Sequence, residues 1–110
     1  DLNKLKVIND TYGHDFGDRM LISVSKIFKD FCDSEDTIVR YGGDEFVIVL
    51  PRTSYSEAID LSEAIQRRTK SIRIKDIPLD MAVGVATKTE LDKPLHTLFV
   101  VAEKRMYQKK

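Results

Sequence analysis

The apolar positions of this chain fall into helix-like and strand-like stretches. From about Gly17 to Cys32, Leu21, Val24, Phe28 and Phe31 recur at i, i+3, i+7 and i+10, with Ile27 beside them. This is the stripe of an amphipathic helix, and Lys26, Lys29 and Asp30 face away from it. A second helix opens on Ser54 and Glu57, which have capping-box spacing, and continues through Ala58, Leu61, Ala64 and Ile65 to about Lys70. A third begins near Pro94, a residue suited to a first helical turn, and carries Leu95, Leu98, Phe99, Ala102 and Met106 on one side to the chain end. Residues 37–41 and 46–50 read as the two arms of a hairpin, the second apolar without alternation and ended by Pro51. Residues 72–74 and 79–85 alternate, which predicts two more strands around a turn at 76–78. At the start, Leu2, Leu5 and Ile8 allow one or two helical turns. Asn9-Asp10, Gly13 and Gly17 then read as a loop unusually rich in side-chain donors and acceptors.

In order, the elements are loop, helix, hairpin, helix, strand, helix. A strand ahead of Asp1 would complete a ferredoxin-like α+β plan: an antiparallel sheet with packed helices and the candidate site at the hairpin turn. In such a plan the strand ending at Asp1 runs parallel to the one ending at Tyr41, with the third strand between them. Asp1 would then lie near Asp44 and Glu45, and three carboxylates at one sheet end make a divalent-metal site whose natural guest is a nucleoside triphosphate.

Composition narrows the classes without naming one. At 110 residues there is room for a single domain, and 42% hydrophobic with 33% charged residues suits a soluble globular one. Lys plus Arg and Asp plus Glu both number 18, so no basic excess supports binding to nucleic acid or a membrane surface, although one nucleotide needs only a local site. Cys32 is the sole cysteine, which excludes an internal disulfide and fits a reducing, cytoplasmic setting, with burial at a helix end as its expected place. No apolar run approaches the ~20 residues of a membrane span, and no signal peptide is visible.

The chemistry concentrates at Tyr41-Gly42-Gly43-Asp44-Glu45-Phe46. Glycines in a turn permit positive φ or close approach to a ligand, and adjacent acids that repel each other suit a divalent cation. A solvated turn with two surface acids is the other reading of these residues, and it stays open. The acidic run Asp33-Ser34-Glu35-Asp36 reads as a solvated connection, and His96 and Cys32 are assigned no chemistry.

Gly42 through Phe46 nevertheless spell the signature of the GGDEF family of diguanylate cyclases, and Arg40-Tyr41 ahead of them fits too. Asp1-Leu2-Asn3 through Lys6, the run Ile8-Asn9-Asp10-Thr11-Tyr12-Gly13-His14, and Gly17-Asp18 resemble the family's substrate-binding segment at the right distance upstream. Ala102-Glu103, Met106-Tyr107 and Lys110 resemble its closing helix, with Glu103 where Asp is usual. The resemblance spans nearly the whole chain and implies one GGDEF domain over 1–110, of the nucleotidyl-cyclase and polymerase-palm-like type, truncated at both ends. It implies a bacterial signalling enzyme that condenses two GTP to cyclic di-GMP and two pyrophosphates, one GTP in each protomer of a homodimer. Mg²⁺ or Mn²⁺, two ions per site, would be held by Asp1, the Leu2 carbonyl, Asp44 and Glu45. Asp44 and Glu45 would serve as metal ligand or base, with the two roles not separated, and Lys6 would stabilise phosphate charge. Asn9 and Asp18 would read the guanine edge, His14 would touch substrate, Gly42 and Gly43 would lie along the nucleotide, and Lys110 would contact its terminal phosphates. For Asn9 and Asp18 the alternative is loop capping, for Lys6 a solvated helix lysine, for His14 a structural loop histidine.

Departures from the family pattern matter as well. Asp33 and Asp36 occupy the positions of a frequent Arg-x-x-Asp product-inhibition motif, so no inhibitory site is expected: an acid repels the phosphates an arginine would pair with. Asn3 and Leu5 replace a more frequent Asp and Phe. The resemblance also implies an upstream sensory region, in a parent protein that is cytoplasmic or membrane-anchored. The rival expectation is a silent module that binds GTP or cyclic di-GMP, or serves dimerisation; the presence of Asp1, Asp44 and Glu45 favours the enzyme.

Overall fold

The computed structural model describes residues 5–74 and 77–109. Asp1, Leu2 and Lys110, and the tip of the turn expected at 76–78, lie outside the described residues. The elements in order are α1 (Leu5–Tyr12), α2 (His14–Phe31), β1 (Thr37–Arg40), β2 (Phe46–Val49), α3 (Tyr55–Lys70), β3 (Arg73–Ile74), β4 (Ile77–Pro78), α4 (Lys88–Leu91) and α5 (Leu95–Tyr107).

The expected loop at residues 9–18 is mostly helix. α1 runs on through Asn9 to Tyr12, and only Gly13, at φ 90°, breaks the chain before α2 begins at His14. Glycine accommodates that left-handed backbone without a Cβ penalty. Gly17 lies inside α2 for a different reason. A Cβ there would stand 1.8 Å from Asn9 Oδ1, so the missing side chain is what lets Asn9 pack across α2. The buried stripe of α2 is Met20, Val24, Ile27 and Phe28, with Leu21 and Phe31 half-buried, one position round from the stripe the sequence predicts. It meets Leu5 and Ile8 of α1, Ile65 of α3, and Leu79 and Met81.

β1 and β2 pair antiparallel, with Ile38 opposite Ile48 and Arg40 opposite Phe46. Ile38, Phe46 and Ile48 pack on the helical core, and the Phe46 ring meets Phe28 edge-on at 5.1 Å. The capping box at α3 forms as expected: Ser54 accepts from Glu57 N–H, and Glu57 accepts from Ser54 N–H.

The second strand pair differs from expectation. β3 and β4 form a two-residue ladder that takes in Pro78, while residues 82–87, expected as part of a strand, belong to no helix or strand. Helical side chains satisfy backbone groups along that run instead. Gln66 of α3 donates to the Met81 carbonyl, and Arg105 of α5 donates to the Val85 carbonyl at 2.6 Å. Between β2 and residues 81–87 lies a mainly apolar cleft of about 760 Å³, backed by Ala58 and Leu61 of α3 and Leu98 and Ala102 of α5. It occupies the place where a ferredoxin-like plan puts its first strand.

Gly84 seats α5. A Cβ on it would stand 2.0 Å from the Ala102 carbonyl oxygen and 2.5 Å from the Met106 amide nitrogen, both backbone atoms that cannot swing aside. Gly84→Ala should therefore displace α5 and lower unfolding stability by about 1–3 kcal/mol, as overpacking does; urea denaturation of variant and parent is the check.

Candidate active site

The loop 41–45 is built by the strand that enters it. Arg40, the last residue of β1, folds its guanidinium back beneath the loop, where Nε donates to the Gly42 carbonyl at 3.2 Å and Nη2 to the Gly43 carbonyl at 2.8 Å. The Glu45 carbonyl closes the other side, accepting from Tyr41 N–H at 2.9 Å and Gly42 N–H at 3.3 Å. Gly42 and Gly43 are exposed at the tip, whereas Asp44 and Glu45 lie half-buried on the returning side.

Neither tip glycine is demanded by the turn. Among the described residues only Gly13 is a glycine with positive φ. A Cβ on Gly43 would meet nothing within 4 Å, and one on Gly42 only Glu45 Cβ at 3.8 Å. The turn thus does not use the positive φ that glycine permits, and the space a Gly43 Cβ would occupy is open.

α5 supports the loop along one face. Phe99, Glu103 and Tyr107 recur every four residues, a spacing that lines up one side of a helix. Phe99 meets the Tyr41 ring at 5.1 Å. Tyr107 Oη donates to Glu45 Oε1 at 2.5 Å, the length of a charge-assisted O–H···O⁻ bond. That bond to Glu45, then burial, then the charges of Glu45, Glu103 and Asp44 push the Tyr107 hydroxyl up to about 12. Its contribution to stability is complete below the ordinary tyrosine value of about 10 and is lost as pH rises through about 12, so at neutral pH Tyr107 is a donor.

Asn9 packs on α2 against Gly17, the residue before Asp18. Its Oδ1 is buried, and among the described residues it is the buried side-chain polar atom that lacks a hydrogen-bond partner. Such an orphan costs roughly 1–3 kcal/mol unless a donor reaches it. Asp18, His14 and Lys6 are exposed.

Among the described residues no three Asp, Glu, His or Cys side chains gather as a metal cluster. Asp44 and Glu45 provide two carboxylates, and Mg²⁺ is typically held by one or two carboxylates together with substrate phosphates. The donor set fits such a cation. Lys110 and the two other expected ligands, Asp1 and Leu2, lie outside the described residues. At the positions of the product-inhibition motif, Asp33, standing where the arginine would be, and Asp36 are tied into their own turn: Asp33 N–H donates to Asp36 Oδ2, and Glu35 N–H to Asp33 Oδ1. Cys32 caps α2, and burial, followed by the charges of Asp36 and Asp33, pushes its thiol up, away from thiolate chemistry. Arg40 and Tyr107 hold the loop yet drew no role from sequence, because neither has a motif that names its partner.

Fold and loop together define an α+β domain with an acidic hairpin beside a glycine tip. The family model described as diguanylate cyclase, GGDEF domain, matches residues 1–110, and the chain belongs to that family. Diguanylate cyclase DosC of Escherichia coli (strain K12) is 43% identical over 91 residues, 78% of this chain and 20% of that protein. Diguanylate cyclase A of Treponema denticola is 35% identical over 114 aligned residues, 100% of this chain and 31% of that protein. The chain thus spans about a fifth to a third of the length of these curated relatives. The GGDEF domain of DgcB from Caulobacter crescentus, solved in complex with c-di-GMP, superposes with a TM-score of 0.88 at 25% identity, over 98% of this chain and 67% of that one. No helix among the described residues is long and apolar enough to cross a membrane.

The Arg40 brace has a direct check. Arg40→Ala should cost about 1 kcal/mol of stability and speed amide exchange at Tyr41 and Gly42, whose N–H groups donate to the Glu45 carbonyl. Arg40→Lys should not restore protection, since an ammonium lacks the planar fork that spans both carbonyls. Unchanged exchange in Arg40→Ala would show that the loop holds without it.

Proposed function

We propose that this domain condenses two GTP molecules to cyclic di-GMP, with one GTP in each protomer of a homodimer. The observation that carries the reading is the loop itself: two half-buried acids beside two glycines whose Cβ positions are open although the turn does not require glycine. Membership of the diguanylate cyclase family supports it.

In the proposed reaction each ribose 3′-hydroxyl attacks the other nucleotide's α-phosphorus. A new P–O bond forms, the bond to the pyrophosphate breaks, and the 3′ proton passes to Asp44; two such events close the ring and release two pyrophosphates. Asp44 and Glu45, with Asp1 and the Leu2 carbonyl, would hold Mg²⁺ or Mn²⁺, two ions per site. Bound there, the metal would neutralise charge on the phosphate oxygens. Lys6 and Lys110 would add positive charge around the phosphates, and His14 would touch the substrate. Gly42 and Gly43 would let backbone lie against the nucleotide. Asn9 Oδ1, an acceptor without a donor, and the Asp18 carboxylate suit the N1–H and 2-amino donors of guanine.

The apolar cleft bears on the metal site. We propose that the 110 residues are one domain of a longer protein, whose preceding strand fills the cleft between β2 and residues 81–87. Glu45 and Glu103 border that cleft, so a strand entering it could deliver Asp1 to the acids of the loop. Control by a sensory region outside this chain, on the cytoplasmic side, belongs to the same reading. The alternative is a silent GTP or cyclic di-GMP binding or dimerisation module.

Full-length protein incubated with GTP and Mg²⁺ should release cyclic di-GMP, and Asp44→Ala should lower turnover at least ~100-fold, the loss expected for a general base. Absence of product at concentrations where dimers form would leave the silent module. Gly43→Ala separates the two uses of glycine. Its stability should stay within about 0.5 kcal/mol of the parent while KM for GTP rises about tenfold or more. A stability loss without a change in KM would return the glycine to the turn.

A further inference from the structure

We propose that Tyr107 is a positioning residue for Glu45: its hydroxyl fixes the carboxylate by one oxygen and presents the other to the reacting centre. The proposal rests on the cyclase reading for its kinetic consequence, but the contact itself stands on geometry. A glutamate carries three side-chain torsions, and an exposed one samples many rotamers. Glu45 does not have that freedom, because Oε1 accepts from Tyr107 Oη at 2.5 Å. Its neighbour Asp44 has one torsion fewer and needs less support.

The donor sits on a rigid element. Tyr107 is the last residue of α5, which is anchored by buried Leu98 and Met106 and by the backbone approach of Gly84 to Ala102 and Met106. Phe99, two turns earlier on the same face, packs on Tyr41 at the start of the loop. The helix therefore grips the loop at both ends: an apolar contact where the chain enters and a hydrogen bond where it leaves. A carboxylate held from a packed helix keeps the sub-ångström placement that phosphoryl transfer needs, and a misplacement of about 1 Å can cost on the order of 100-fold in rate. A tyrosine suits this task because it is neutral. A lysine would neutralise the charge of Glu45 and compete with a cation for it.

The test uses the full-length protein and removes one oxygen. Tyr107→Phe keeps the ring and should lower kcat about tenfold while KM for GTP stays within about twofold, since ordering Glu45 serves the transition state and not ground-state binding. Combined with Glu45→Gln, the losses should fall well short of multiplicative, as for residues acting through one group. Side-chain order of Glu45, read by NMR on glutamate-labelled protein, should drop in Tyr107→Phe, with thermal stability near that of the parent. Unchanged Glu45 order, or unchanged kcat in an active enzyme, overturns the proposal. Were the parent itself to make no cyclic di-GMP while Tyr107→Phe still freed Glu45, the cyclase reading would fail and the positioning contact would stand.

Discussion

Two carboxylates on neighbouring residues, both partly withdrawn from water, repel each other and lose hydration at once. The structure around the hairpin is arranged to tolerate that pair. Arg40 spends its guanidinium on the carbonyls of Gly42 and Gly43 and not on the acids, so it shapes the loop without neutralising it. Tyr107 offers Glu45 a neutral donor from the end of α5. Neither arrangement discharges the pair. In the loop Gly42 and Gly43 are exposed while Asp44 and Glu45 are half-buried. Two adjacent carboxylates suit a divalent cation brought in from outside, which the proposed phosphate-handling site would require.

Legibility from sequence followed the range of the interactions. Local signals read well: the capping box at Ser54 and Glu57 and the two arms of the hairpin around 41–45 rest on contacts a few residues apart, whereas the stripe expected on α5 holds only in part, with Leu98 and Met106 buried and Leu95 exposed. The segment 9–18 did not read well. Its glycines and polar residues look like a loop, but the burial of Ile8 and Met20 extends helix through it and leaves one break, at Gly13. Gly17 illustrates why. Its reason for being glycine is Asn9, eight positions earlier and on another helix, and no propensity scale records such a pairing.

The site showed the same divide. The composition of the loop pointed to it, while its supports were hidden. Glu45 and Tyr107 are separated by 62 positions, and the four-residue spacing of Phe99, Glu103 and Tyr107 marks a second face of α5 without saying what that face meets. Gly84 reads as a glycine inside an alternating strand, yet it serves a helix that packs against its backbone.

The cleft carries the argument one step further. Residues 82–87 belong to no helix or strand and line the cleft opposite β2. Side chains of α3 and α5 reach the carbonyls of Met81 and Val85, which holds that segment in place although no ladder joins it to β2. Under the proposal that a preceding strand fills this slot, the direction of that strand would decide which residue arrives beside Glu45 and Glu103. Metal affinity and strand insertion would then be linked equilibria. Each carboxylate the strand delivers raises the repulsion at the loop end and so raises the free energy a divalent cation relieves on binding, while the bound cation in turn holds the strand in its slot. A site of that kind would be completed from outside the hairpin, with its stability and its chemistry set by the same carboxylates.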